Sequence, residues 1–344
     1  MNLTKIPAQM LLSGGASGEG TAGFINPEAY GMDPSASGAV NKAALKAAVA
    51  AGPVMIPAKS YTLSGFQHSG PIHMVGQGIA TRLTFTGSGA GIHLPVSSVN
   101  FGSVIDDFTM NHETPGGGTH GIHVEMLDGG YFGKWQMFNI YNDLSDRHQF
   151  GQNAVYLDNS GGAADGIATG VIEGCQLTAG AWAGIHGDLI GDSIKITRNV
   201  VNAGAGIAID LSQVSGARQI VIEDNNLTTF GGGLLLDSCG QTFVNRNWVE
   251  HPAYLSEFLP TRVDAQLTLF NCYNCYVTHN TIRGGAGDLG PGGTPITGAN
   301  YGVVLSGTTQ LSTVKENWIA AVAIVRTYDS SGSGTNVITD NVNG

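Results

Sequence analysis

The residues of this chain best suited to chemistry are five acids at one recurring place. GIHVEM, AVYLDN, AGIHGDLI, AGIAIDLS and GGLLLDSC are copies of one short alternating strand, carrying Glu125, Asp158, Asp188, Asp210 and Asp237. Asp210 follows Asp188 by 22 residues, and Asp237 follows Asp210 by 27. Units this short cannot bury a core alone and stack as successive coils. Stacking would set the acids about 4.8 Å apart, where they repel unless one carboxyl of a pair keeps its proton. One protonated and one ionised carboxyl is what glycoside hydrolysis needs, with retention favoured at roughly 5 Å and inversion at roughly 6.5–9.5 Å. Asp188 and Asp210, at the centre, are the expected catalytic pair, with Asp158 and Asp237 as flanking alternatives. Two other roles stay open for the column. Each acid could bond the backbone of the turn after its strand, or neighbours could hold Ca²⁺ between them; apart from that ion no cofactor or metal is expected.

Alternation along the same strands gives the neighbouring columns. Ile92, Ile122, Val155, Ile185, Ile207, Leu234, Leu267 and Val303 read as inward. His93, His123, Tyr156, His186, Ala208, Leu235, Thr268 and Val304 read as outward, beside an acid column completed by Pro95, Phe270 and Ser306. Glu125, His123, Tyr156 and His186 would bind a sugar. Tyr156 and His186 are alternatively the base and acid of a β-eliminating lyase. A lyase acting on uronates also needs cations. Arg147, Arg218 and Arg262 are available, but no Arg stands in the columns themselves.

The elements that must position these side chains are legible too. A second strand family closes on Phe108, Trp135, Cys175, Asn199, Asn225, Asn247, Asn280, Asn317 and Asn341. Asparagines repeated at one corner stack their amides up the coil and suit left-handed turns. After Asn199 and Asn225 the next strand arrives quickly, whereas the segments 141–153, 251–264 and 284–300 are long. Such loops would wall a groove whose floor is the acid column. They offer Asp143, Asp146, Arg147 and His148, then Glu250, His251, Tyr254, Glu257 and Arg262. Of these Arg147, His148, His251, Tyr254 and Arg262 are the expected substrate contacts.

Composition narrows the class. With 52 glycines and only 12% charged residues among 344, the chain suits short buried strands with tight corners and one domain. The net charge of -11 disfavours nucleic acid and anionic membranes as partners. No apolar run reaches membrane-spanning length, and MNLTKIPAQMLLSGG is a poor secretory signal. Cys272 and Cys275 form a CxxC without a second metal-binding pair. Cys239 and Cys272 should stack on successive coils, either as buried thiols or as a disulfide. No glycine-rich stretch has the lysine or strand-to-helix setting of a nucleotide loop.

Residues 1–30 read as a Gly/Ser/Ala-rich arm, and 31–344 as the folded domain. Asn41 is a candidate N-cap for an Ala-rich helix over about 41–51, ended by Gly52-Pro53 and followed by a strand. Such a helix would cover the open end of the first coil. Tyr30, Gly31, Asp33, Pro57 and Tyr61 make this stretch resemble the opening of the pectate-lyase-like β-helix superfamily, in the phage tailspike and capsule depolymerase branch. Lys59 departs from the usual glycine, and no Gly-Gly precedes Val54. The resemblance implies an all-β, single-stranded right-handed parallel β-helix with a short N-terminal capping helix. It further implies a homotrimer on a phage tail, or otherwise extracellular, that binds and cleaves a bacterial surface polysaccharide. A non-catalytic receptor-binding spike is the alternative from outside enzymology. The final VITDNVNG lies in mid-coil, so a partner subunit, a trailing arm or a further domain is expected to cover it.

Overall fold

A computed structural model describes residues 23–96, 99–127, 130–142, 150–162, 166–179, 181–203, 206–214, 218–229, 232–250, 265–285, 299–322 and 324–343. The chain winds as a right-handed β-helix whose strands pair in parallel. A regular coil carries three strands, as in Ile194–Thr197, Val200–Ala203 and Ile207–Gln213. The first two enter a 20-stranded sheet that bends at each corner, and the third enters a 10-stranded sheet.

The corner between the first two strands is built from local chemistry. Asp107, Asn139, Arg198, Asp224, Arg246, His279, Glu316 and Asp340 all have φ between 46° and 63°, a left-handed conformation costing roughly 1 kcal/mol for a residue with a Cβ. The residue after each of the last six is a ladder asparagine. Its Nδ2 donates to the Oδ1 of the next one up: Asn199 to Asn225 at 3.0 Å, Asn225 to Asn247 at 2.9 Å, and so on to Asn341. The same oxygen accepts the backbone N–H of the asparagine below. Below Asn199 the place passes to Cys175, Ile140 and Phe108. Trp135, expected at this corner, instead opens its strand opposite Gly170, five residues earlier.

The inward column is one continuous stack, with one change of register. Ile185 pairs with Ile209, and Ile209 with Leu234, so Ile209 stands where Ile207 was expected. The new register is in place from Ala183, which faces Ile207, and a bulge follows it. Gly187 faces Leu211 and Ile190 faces Gln213, so Asp188 and Leu189 together oppose Ser212, with Leu189 at φ 48°. A bulge of this kind adds one residue to one strand. Sequence identity had aligned GIHGD with GIAID. The arc from the corner aligns them otherwise, since ten residues separate Cys175 from Ile185 and Asn199 from Ile209.

The N-terminal end is capped as expected, from a different first residue. The helix runs over Gly38–Ala51 with Ser37 as N-cap, its Oγ accepting from the Val40 N–H. Asn41 is buried inside the helix and ties it to its surroundings, accepting from the Asp33 N–H and donating to the Thr62 carbonyl. The signature residues do structural work here. Gly31 ends the short helix Pro27–Tyr30 at φ 95°. The buried Tyr61 donates to Glu28, which also pairs with Lys59 at 2.7 Å. Of the expected arm, residues 1–22 lie outside the described residues, and Ile25 pairs with Val54 of the first coil. All four cysteines are free and buried. Burial pushes the Cys175 thiol up to about 12 and raises that of Cys272, while that of Cys275 is raised first by the neighbouring Cys272 and then by burial.

Candidate active site

The outward face of the 10-stranded sheet carries the candidate chemistry. Because coils repeat at about 4.8 Å, aromatic side chains at one register position must stack. His93, His123, Tyr156 and His186 do so, with ring centroids 4.9, 4.9 and 5.1 Å apart from one to the next. Each of the first three rings reaches diagonally to the acid of the following coil. His93 Nε2 lies 2.8 Å from Glu125, His123 Nε2 lies 3.3 Å from Asp158, and the Tyr156 hydroxyl donates to Asp188 at 2.7 Å.

The change of register breaks this pattern at the fourth ring. Asp210 was expected in the acid column opposite Asp188. It pairs instead with His186 in the ring column, and Ser212 takes the place beside Asp188. His186 therefore has an acid near each nitrogen: Nε2 hydrogen-bonds Asp188 at 3.2 Å, while Nδ1 lies 3.4 Å from Asp210, within ion-pair range but without hydrogen-bond geometry. Ala208, expected outward in this column, is buried.

This arrangement decides the charges. Burial alone would lower the His186 pKa, but the two carboxyl groups outweigh it and hold the imidazole up at about 9. The Asp188 carboxyl is held below its usual range, first by His186 and then, against some desolvation, by Tyr156. For Asp158, desolvation opposes ionisation, yet hydrogen bonds from His123 and Ser160 outweigh it and the net shift is downward. The Tyr156 phenol is driven upward by burial and by Asp188. Crowding was expected to keep one carboxyl protonated. Glu125, Asp158, Asp188 and Asp210 are instead paired with rings rather than with one another, and the proton sits on His186.

His120 lies against the stack, 5.0 Å from the His123 ring and 4.8 Å from Tyr156, with Nδ1 3.1 Å from the Asn153 amide nitrogen. Burial drives its pKa down to about 3. Asp237 stands apart: it pairs in register with Ser212 and accepts from the Ser238 hydroxyl. That leaves it two coils, about 10 Å, from Asp188. The structure thus brings together His123, Tyr156, His186, Asp158, Asp188 and Asp210, with Glu125 on the strand of His123 and in register with Asp158. Arg218 is described at another corner, where its N–H bonds Asp192. Arg147, His148, His251, Tyr254 and Arg262, with Asp143, Asp146 and Glu257, lie outside the described residues. Glu250 pairs with Arg283 on the large sheet. Among the described residues no three His, Cys, Asp or Glu side chains are grouped to hold a metal ion.

One residue of the site escaped the sequence reading. Trp182 precedes the strand Ala183–Ile190 and packs edge-on against His186 at 5.8 Å. Its signal was available: a tryptophan directly ahead of the most polar copy of the repeat.

No protein-family model and no curated protein sequence matches the chain. Solved structures do. The N-terminal fragment of gene product 12 from bacteriophage Phi29 matches at 12% identity with a TM-score of 0.59, over 93% of this chain and 66% of that one. DFA-IIIase from Arthrobacter chlorophenolicus, as its C387A mutant, matches at 15% and 0.52, over 92% and 98%. The A-module of the Azotobacter vinelandii mannuronan C-5 epimerase AlgE4 matches at 14% and 0.51, over 93% and 99%. At such identities the likeness is one of fold, and it agrees with the parallel coils. In fold, the chain is a right-handed parallel β-helix.

Proposed function

We propose that this chain binds a bacterial surface polysaccharide along the outward face of the 10-stranded sheet and cleaves it by glycoside hydrolysis. The observation that carries the reading is His186, held protonated between Asp188 and Asp210 in a chain with few charges. The His186 imidazolium gives its proton to the glycosidic oxygen, and the bond from that oxygen to the anomeric carbon breaks with its electron pair leaving on the oxygen. A water adds to the anomeric carbon and passes a proton to Asp188 or Asp210, from which His186 is reprotonated. The products are two shorter glycans, one with a new reducing end. The long hydrogen bond from His186 Nε2 to Asp188, 3.2 Å, suits a proton that a substrate oxygen must compete for. A phage setting and a parallel homotrimer belong to the same proposal, supported by the N-terminal signature and by the fold shared with a bacteriophage gene product.

The test is a panel of capsular and O-antigen polysaccharides, followed for new reducing ends and for the near-ultraviolet absorbance of an unsaturated uronate. Reducing ends without absorbance are expected. Asp188→Asn and Asp210→Asn should each lower kcat by roughly 10²–10⁴-fold. Both retaining full activity would remove the assignment. Absorbing products would transfer it to the lyase with Tyr156 and His186, and binding without products would leave a receptor spike.

A further inference from the structure

The indole of Trp182 is 54% exposed, unusual for so large an apolar side chain, yet its backbone is fixed. Its N–H donates to the Gln152 carbonyl and its carbonyl accepts from Ile207. The chain passes so close at Gly206 that a Cβ there would lie 1.9 Å from the Trp182 oxygen. The ring meets His186 edge to face, at 62°, so with half its surface exposed it offers solvent a flat apolar face beside the imidazolium. A pyranose presents a matching face of C–H groups, and burying one on an indole is the usual use of an exposed aromatic in a groove.

Charge narrows which sugar fits. From Phe66–Gln67 to Tyr301–Ser306, the strands of the 10-stranded sheet contain no Lys or Arg. They do carry Glu125, Asp158, Asp188, Asp210 and Asp237. The charge on His186 is already answered by two of these. A carboxylate on the bound ring would meet these acids at short range and be repelled, whereas a hydroxyl, an acetamido group or an ammonium would not.

We propose that Trp182 is the stacking platform of a subsite beside His186, and that it takes a neutral or amino sugar rather than a uronate. The proposal rests on the sheet face being a polysaccharide-cleaving groove, and its test separates the two. For each polysaccharide of the panel that the full chain cuts, mass spectrometry of the products identifies the sugars flanking the broken bond, and kinetics compare wild type with Trp182→Ala, Trp182→Phe and Trp182→Tyr. A neutral or amino sugar should flank every cut. Trp182→Ala should raise KM about tenfold with a smaller change in kcat, the loss expected for one aromatic contact. Trp182→Phe and Trp182→Tyr should restore most of it, which a merely structural role would not predict if the melting temperature of Trp182→Ala matches wild type. If Trp182→Ala has a lowered melting temperature, the Phe and Tyr variants decide, and a KM at the Ala value in both overturns the platform. A wild-type KM in Trp182→Ala, or cuts flanked on both sides by uronates, overturns the inference while leaving the cleaving groove intact. A panel from which nothing is bound or cut overturns the groove and the inference together.

Discussion

His186 is the residue on which pH should act most directly. Its folded pKa of about 9 lies above the ordinary 6.5, so its contribution to stability is complete below about pH 6.5 and is lost as pH rises through about 9. With a side chain only 12% exposed, that contribution is at most about 3 kcal/mol. As the proton donor it imposes the same limb on catalysis. Plots of log kcat/KM against pH should fall above about pH 9, and His186→Gln should lose both activity and the alkaline drop in melting temperature. A wild-type profile flat to about pH 10 would remove His186 as the acid. His120 acts in the opposite direction. Its pKa of about 3 in the folded chain means that unfolding takes up a proton between about pH 6.5 and 3, so stability falls as pH falls through that window. The loss amounts to roughly 3 kcal/mol by about pH 4.5. Denaturant midpoints at about pH 7.5 and 4.5 should therefore differ less in His120→Gln than in wild type.

Elements fix these residues through two repeated devices, the corner ladder and the outward columns. Asn225 serves three neighbours. Its Oδ1 accepts from Asn199 twice, through backbone and side chain, and its Nδ2 donates to Asn247 and to the Ile196 carbonyl. Asn225→Ala strands buried donors on one side and an acceptor on the other, so it should cost about 2–4 kcal/mol. The expected readout is a lower denaturant midpoint with the circular-dichroism spectrum retained. Asn341 ends the described ladder with fewer buried partners, and its replacement should cost less than that of Asn225. This ladder was visible in the sequence because an asparagine at a constant corner leaves a residue-type signature. The change of register was not, because the local match of GIHGD to GIAID is stronger than the distance count from the corner, and the bulge was not, because Asp188-Leu189 carries no glycine. That two-residue change of register took Asp210 from the acid column to the ring column and turned an expected carboxylate pair into an imidazole between two acids. The ring-to-acid diagonals were likewise hidden, since the sequence gives columns but not the direction in which a side chain leans across them.

At the scale of the whole molecule, the net charge of -11 and the acid-lined sheet act together as a field. Polyanions should be kept off the groove at low salt, and the effect should weaken as the screening length shrinks to about 10 Å near 0.1 M ionic strength. A neutral polysaccharide feels no such field, so its kcat/KM should change less than about twofold between roughly 0.02 and 0.3 M salt, whereas residual binding of a polyuronate should strengthen with added salt. The same experiment run with EDTA separates a metal role from a purely side-chain one. The site acids are already bonded to rings, so a chelator should leave the rate on a neutral glycan unchanged, and its loss would assign Ca²⁺ to the acid column. An amino-sugar polymer, cationic in solution, should show the opposite salt dependence to a polyuronate: the acidic groove attracts it, so its kcat/KM should fall as salt rises, and a rise would remove the field from the account.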